Sequence, residues 1–151
     1  MSKSEWGKVT WILFHSIIEN IKDDAPNNFI KMVFNNLKLI CNNLPCPYCK
    51  EHAISYLNNY KKYNFDTKDK LKFFFFTFHN NVNKRLNKQI MKKEILEKYK
   101  TVNLNNILIN FSNVYLKKYT TKMLIYNFHR RIALNKFFTF LKSNKQYFNG
   151  L

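Results

Sequence analysis

The chain has 151 residues, 46% of them hydrophobic and 17% aromatic, which is enough to bury a core and excludes a largely disordered chain. With two Gly and three Pro it lacks the turn formers of a many-stranded sandwich or barrel, and it has no Gly-rich phosphate loop. Its 26 basic and 9 acidic residues give a net charge of +17, which favours anionic partners and says nothing of fold. No stretch reads as a secretion signal, and no apolar run approaches the ~20 residues that cross a bilayer.

The apolar spacing is helical almost throughout. Ser4 can cap a first helix carrying Val9, Ile12, Leu13, Ile17 and Ile21. Asp23-Asp24-Ala25-Pro26 ends it, and Pro26 suits the first turn of a second helix with Phe29, Met32, Val33, Leu37 and Ile40. That helix stops near Leu44-Pro45, and Pro47 opens a third helix running to about Tyr60. A loop over 61–67 leads to a fourth helix over 68–88, whose Phe73-Phe74-Phe75-Phe76 run cannot lie on one stripe and calls for burial on most sides. A strand is the rival reading of that run, and the polar continuation without a turn favours helix. A short fifth helix fits 92–99.

From Lys98 to Leu151 there are ten basic residues and no acidic one. Two further helices are expected there, with inner faces of Leu104, Ile107, Leu108, Phe111, Val114 and Tyr115, then Met123, Leu124, Phe128, Ile132, Phe137 and Leu141. The chain is thus all-α, with a domain over 1–99 and a basic helical extension over 100–151.

Three constellations can carry chemistry. Cys46-Pro47-Tyr48-Cys49 puts two thiols one turn apart at a helix start, where the helix N-terminus stabilises a thiolate. A buried cysteine pair is one alternative. A zinc site using Cys46, Cys49 and His52 is another, although no natural fourth ligand follows. CPYC also occurs in glutaredoxins, but a helical segment precedes it here, which argues against a thioredoxin fold. The block His79-Asn80-Asn81-Val82-Asn83 to Lys88 sets an imidazole, amides and a cation on one helix, a pattern that suits a ring joined to phosphate. Its plain alternative is a solvated polar face. Trp11 and His15 share a face of the first helix, as either core packing or a site, and Gly7 would let another group approach closely. Cys41, among Leu37, Ile40 and Leu44, reads as core.

The ordered series Trp6-Gly7 to Trp11 and His15, then the CxxC, then His79-Asn80-x-Val82-Asn83-x-x-Leu86-x-Lys88 resembles the Erv/ALR family of FAD-linked sulfhydryl oxidases over about residues 5–99. The likeness leans to the small forms of large DNA viruses of the African swine fever virus type. It implies a four-helix bundle with a short fifth helix, a homodimer, and bound FAD. By the same resemblance Cys49 is the thiol beside the flavin and Cys46 the one open to substrate. Gly7, Lys8, Trp11, His15, His52, His79, Asn80, Val82, Asn83 and Lys88 fall at cofactor-binding positions. No metal is expected. The family's further structural disulfide is missing, since no cysteine follows Cys49.

The resemblance implies a thiol oxidase that makes disulfides in dithiol protein substrates, a small CxxC redox protein or a virion protein. Electrons would pass through the CxxC and flavin to O₂, giving hydrogen peroxide, in the host cytoplasm or the virion. The alternative is a basic helical module that binds nucleic acid or protein through its C-terminal segment, with a structural or zinc-binding CxxC.

Overall fold

A computed structural model describes residues 3–59, 65–117 and 124–151, and among these the helical reading holds. Four α-helices, α1 (Lys3–Glu19), α2 (Phe29–Cys41), α3 (Pro47–Asn58) and α4 (Lys68–Arg85), make the bundle. α1 packs on α4, and α2 packs on both α3 and α4. A 3₁₀ stretch, Lys93–Thr101, lies on α1, as does α5 (Leu104–Tyr115), while α6 (Leu124–Ser143) lies on α2. The expected fifth helix is therefore a 3₁₀ segment. Met123 and the end of the expected third helix at Tyr60 lie outside the described residues.

Local chemistry explains the boundaries. α1 begins at Lys3, so Ser4 sits inside the helix rather than before it. α2 starts three residues after Pro26, because Pro26 forms a turn in which its carbonyl accepts from Phe29 N–H at 2.8 Å. Thr67 caps α4 by accepting from Lys70 N–H at 3.2 Å. α4 ends at Arg85, short of 88, in a Schellman turn. There Asn87 N–H reaches the Lys84 carbonyl and Lys88 N–H reaches the Asn83 carbonyl at 2.8 Å. Asn87 takes the left-handed conformation the turn requires, at φ 54°.

One core runs through the molecule. Leu13, Phe14, Ile17, Val33, Phe34, Leu37, Leu57, Phe75, Phe111, Phe137 and Phe148 all belong to it, so α5, α6 and the C-terminus share the bundle's interior. Phe29 of α2 meets Phe140, Tyr147 and Phe148 with ring centroids 5.1–5.8 Å apart. The C-terminal end is tied back by an isolated antiparallel bridge between Ile21 and Phe148. Two backbone bonds support it, Lys22 N–H to the Tyr147 carbonyl at 2.8 Å and Asn149 N–H to the Asn20 carbonyl at 2.7 Å. Between α1 and α4 the buried Glu19 is paired with Lys72 at 2.8 Å, and Lys68 Nζ donates to the Ile21 carbonyl at 2.8 Å.

Two expectations about faces are corrected. Phe74, Phe75 and Phe78 are buried, but Phe73 is 58% exposed, so α4 keeps an open side. On α6 the inner stripe is Ala133, Leu134, Phe137 and Leu141, with Arg130 also buried, while Phe128 and Ile132 face outward. Truncating the fully buried Phe137 to Ala should cost about 3–5 kcal/mol in denaturant unfolding. Phe128→Ala, at an exposed position of the same helix, should stay within about 0.5 kcal/mol of wild type.

Candidate functional site

The α3 start is built as the sequence suggests. Pro47 occupies the first helical position and needs no N–H there. Cys46 is the N-cap, and its Sγ accepts from Cys49 N–H at 3.3 Å. Cys46 and Cys49 form a disulfide, with their Cα atoms 5.2 Å apart. Both are half-buried, and Tyr48 between them is exposed with the Arg85 guanidinium 4.9 Å over its ring. That contact sets the end of α4 beside the disulfide. Cys41 is buried and free, and burial pushes its thiol well above the ordinary range.

From Cys49 the helical repeat carries His52 and Tyr56 onto one face. His52 lies 6.3 Å from Phe78 of α4, and Tyr56 stacks on Phe78 at 4.5 Å. Phe78 in turn meets Trp11 of α1 edge-on at 5.1 Å. Trp11 stacks on His79 at 4.1 Å and on His15 at 5.9 Å. His15 Nε2 and His79 Nδ1 are 2.9 Å apart, so one imidazole donates to the other. The three sequence constellations, on three different helices, thus join in one aromatic seam that ends one turn from Cys49.

The electrostatics of the seam are those of neutral rings beside cations. Burial, with Lys98 nearby, lowers His15 to about 4. Burial, then His15, Lys88 and Lys98, lowers His79 to about 3. Burial and then Arg85 lower His52 as well. Lys88 and Lys98 are exposed at this edge, and Lys8 stands on the α1 face that also carries Trp11 and His15. Val82 is half-buried against the core. Asn83 is buried, and its side-chain amide has no hydrogen-bond partner among the described residues. The space a Cβ would take at Gly7 is open, so no protein atom requires glycine there.

Asn80 is differently employed. Its amide donates to the Met91 carbonyl at 3.1 Å and accepts from Met91 N–H at 2.9 Å. Asn20 makes a matching tie to the Tyr99 carbonyl at 2.8 Å. These two amides hold the 86–101 segment against α1 and α4, and with it Tyr99, whose ring is 5.3 Å from His15. Sequence reasoning passed over Tyr99, Lys98, Tyr56, Phe78 and Arg85. The sequence signal for Tyr56 was its helical spacing from Cys49, and that for Phe78 its place next to His79 on α4. The 3₁₀ stretch gave no such pattern.

Chemically, the seam offers flat aromatic faces, neutral imidazoles, an available amide and cations at one edge. That donor set fits a planar heteroaromatic ligand bearing phosphates. A zinc site has no such support, since among the described residues no group of three or more His, Cys, Asp or Glu is placed to hold a metal ion. Among the same residues no helix is long and apolar enough to cross a membrane.

Comparison with known proteins points the same way. The model of the Erv1 / Alr family matches residues 8–103. The FAD-linked sulfhydryl oxidase of African swine fever virus (isolate Pig/Kenya/KEN-50/1950) is 35% identical over 106 residues, covering 68% of this chain and 83% of that one. The protein of the same name from isolate Tick/Malawi/Lil 20-1/1983 is 33% identical over the same shares. A protein of Invertebrate iridescent virus 3 is 31% identical over 100 residues, 63% of this chain and 66% of its own.

The neutral histidine pair has a pH signature. The folded state holds both imidazoles below the unfolded value of 6.5, so their contribution is complete above that pH and is lost as pH falls toward 4 and 3. The thermal midpoint should therefore drop between about pH 6.5 and about pH 4, and His79→Gln should flatten that dependence in a calorimetric series.

Proposed function

Since the chain belongs to the Erv1/Alr family and is an FAD-dependent thiol oxidase, we propose a mechanism in which Cys46 meets the substrate and Cys49 faces the cofactor. The observation that carries this assignment is the helical phase of α3. Cys49 shares its face with His52 and Tyr56, which contact the seam. Cys46 lies at the cap, ahead of the first turn of α3, with its carbonyl accepting from Lys50 N–H at 2.9 Å.

The residues of the seam fit FAD. Trp11, His15 and His79 would hold its rings, with Asn83 and Val82 at the adenosine part. Lys88, Lys98 and Lys8 would neutralise the pyrophosphate. His52 would stand near the reacting ring, and the open space at Gly7 would admit the ligand. Asn80 would act indirectly, by fixing the 86–101 segment that carries Lys98.

A substrate thiolate attacks Cys46 Sγ. The Cys46–Cys49 bond breaks, a bond from the substrate sulfur to Cys46 forms, and Cys49 leaves as thiolate. The second substrate thiolate attacks the substrate sulfur of this mixed disulfide. Cys46 is then expelled as thiolate, and the Cys49 N–H that points at its Sγ stabilises that charge. The substrate leaves as a disulfide, and the electron pair remains on Cys46 and Cys49. When bound, FAD supplies a two-electron acceptor that restores the protein disulfide and passes the electrons to O₂, giving hydrogen peroxide. The neutral state of His15, His79 and His52 keeps positive charge off the ring-binding faces.

The dithiol substrate is a small CxxC redox protein or a virion protein, the enzyme works as a homodimer, and it acts in the host cytoplasm or the virion. The viral relatives support this setting. So does the need for a dedicated disulfide maker where thiols are kept reduced.

Purified protein should be yellow and should consume oxygen with dithiothreitol. Cys46→Ser and Cys49→Ser should each abolish turnover in an oxygen electrode, while Cys41→Ser should retain most of it. Equal loss in all three would contradict the two-cysteine assignment. Gly7→Ala tests the cofactor fit separately. It should leave the apoprotein as stable or up to about 1 kcal/mol more stable, yet weaken flavin retention on gel filtration.

A further inference from the structure

A cleft of about 490 Å³ lies at the start of α3, and its lining includes none of the seam residues. Pro45 and Pro47, the neighbours of Cys46 in the chain, line one side, and Lys50 and Glu51 of α3 extend it. The facing wall is α6, through His129 and Arg130. We propose that this cleft seats the segment of the protein substrate that carries the attacking thiol, and that it selects segments with acidic residues beside that thiol. The inference rests on the oxidase reading above and adds its substrate class.

Position is the first support. Pro45 and Pro47, which bracket Cys46 in the chain, line this cleft, so a polypeptide seated there lies next to the cap that Cys46 forms. Charge is the second. Lys50 and Arg130 bring two cations to the lining against the single carboxylate of Glu51, within a chain of net charge +17. Arg130 is only 2% exposed, so its guanidinium sits in a poorly solvated wall, where attraction for a carboxylate is screened less than at an open surface. Its NH2 group donates to Asn127 Oδ1 one turn earlier, which holds the guanidinium in place.

The third support is the origin of the wall. The family match ends at residue 103, and α6 begins at Leu124. α6, which packs on α2 and lines the cleft through His129 and Arg130, therefore lies outside the region that the family model matches, while the redox pair and the seam lie inside it. A substrate contact made through α6 can change while the electron relay stays the same.

The test uses the full-length, flavin-loaded protein and two dithiol peptides of equal length, one with Asp and one with Ser flanking the thiols. The wild type should oxidise the Asp peptide with a KM about tenfold lower at low ionic strength and a similar kcat, and the preference should shrink as salt is added. Lys50→Glu combined with His129→Glu, both at positions that are not buried, should erase or reverse the preference while dithiothreitol oxidation stays at the wild-type rate. Equal KM values for the two peptides in the wild type, or a preference unchanged in the double variant, would overturn the inference and leave the oxidase reading standing. Failure to oxidise dithiothreitol as well would overturn both.

Discussion

The structure depends on one helix start. A disulfide that is to be opened and closed repeatedly needs a place where a thiolate is stable, and the first turn of α3 provides it. Pro47 begins the helix without sacrificing a hydrogen bond, and Cys46 caps it with its sulfur under the Cys49 N–H. The rest of the molecule gives that turn two different sides. On one, α3 lays His52 and Tyr56 against Phe78, and through Phe78 reaches Trp11, His15 and His79. On the other, Pro45, Pro47 and Lys50 border a cleft closed by α6. The proposed relay uses this arrangement, with substrate and cofactor reaching different sulfurs of the same bond.

The seam is held by contacts between helices far apart in sequence. His15 and His79 are 64 residues apart and share one hydrogen bond. The indole of Trp11 lies nearly parallel to the His79 ring, 6° from coplanar. Keeping both imidazoles neutral avoids two adjacent charges in a buried place, and the nearby Lys98 reinforces that state. The ties from Asn20 and Asn80 bring the 3₁₀ segment, and Lys98 with it, to this edge.

Local chemistry made much of this legible. Pro47 after Cys46 marked the α3 start, the apolar spacing of 104–115 marked α5, and the setting of Cys41 marked it as core. What escaped was decided by packing between distant segments. The partner of the Asn80 amide was not legible, because only the return of the chain at Met91 brings one to it. Phe128 and Ile132 have helical spacing with Leu124, yet α6 packs on α2 with Ala133, Leu134 and Phe137 buried, and Arg130 is buried with them. The end of α4 at Arg85 was written in Asn87, a residue suited to a left-handed cap, but the many Asn in this chain hid the signal.

The central claim is that electrons from a dithiol reach the flavin through Cys46 and Cys49. An anaerobic titration of the flavin-loaded protein with a dithiol, following flavin absorbance and free thiols together, tests it most directly. The wild type should take up one electron pair at the disulfide in addition to the pair at the flavin, and the flavin of Cys49→Ser should stay oxidised on the same timescale. Flavin bleaching in Cys49→Ser as fast as in the wild type, with no thiols appearing at Cys46 and Cys49, would contradict the relay.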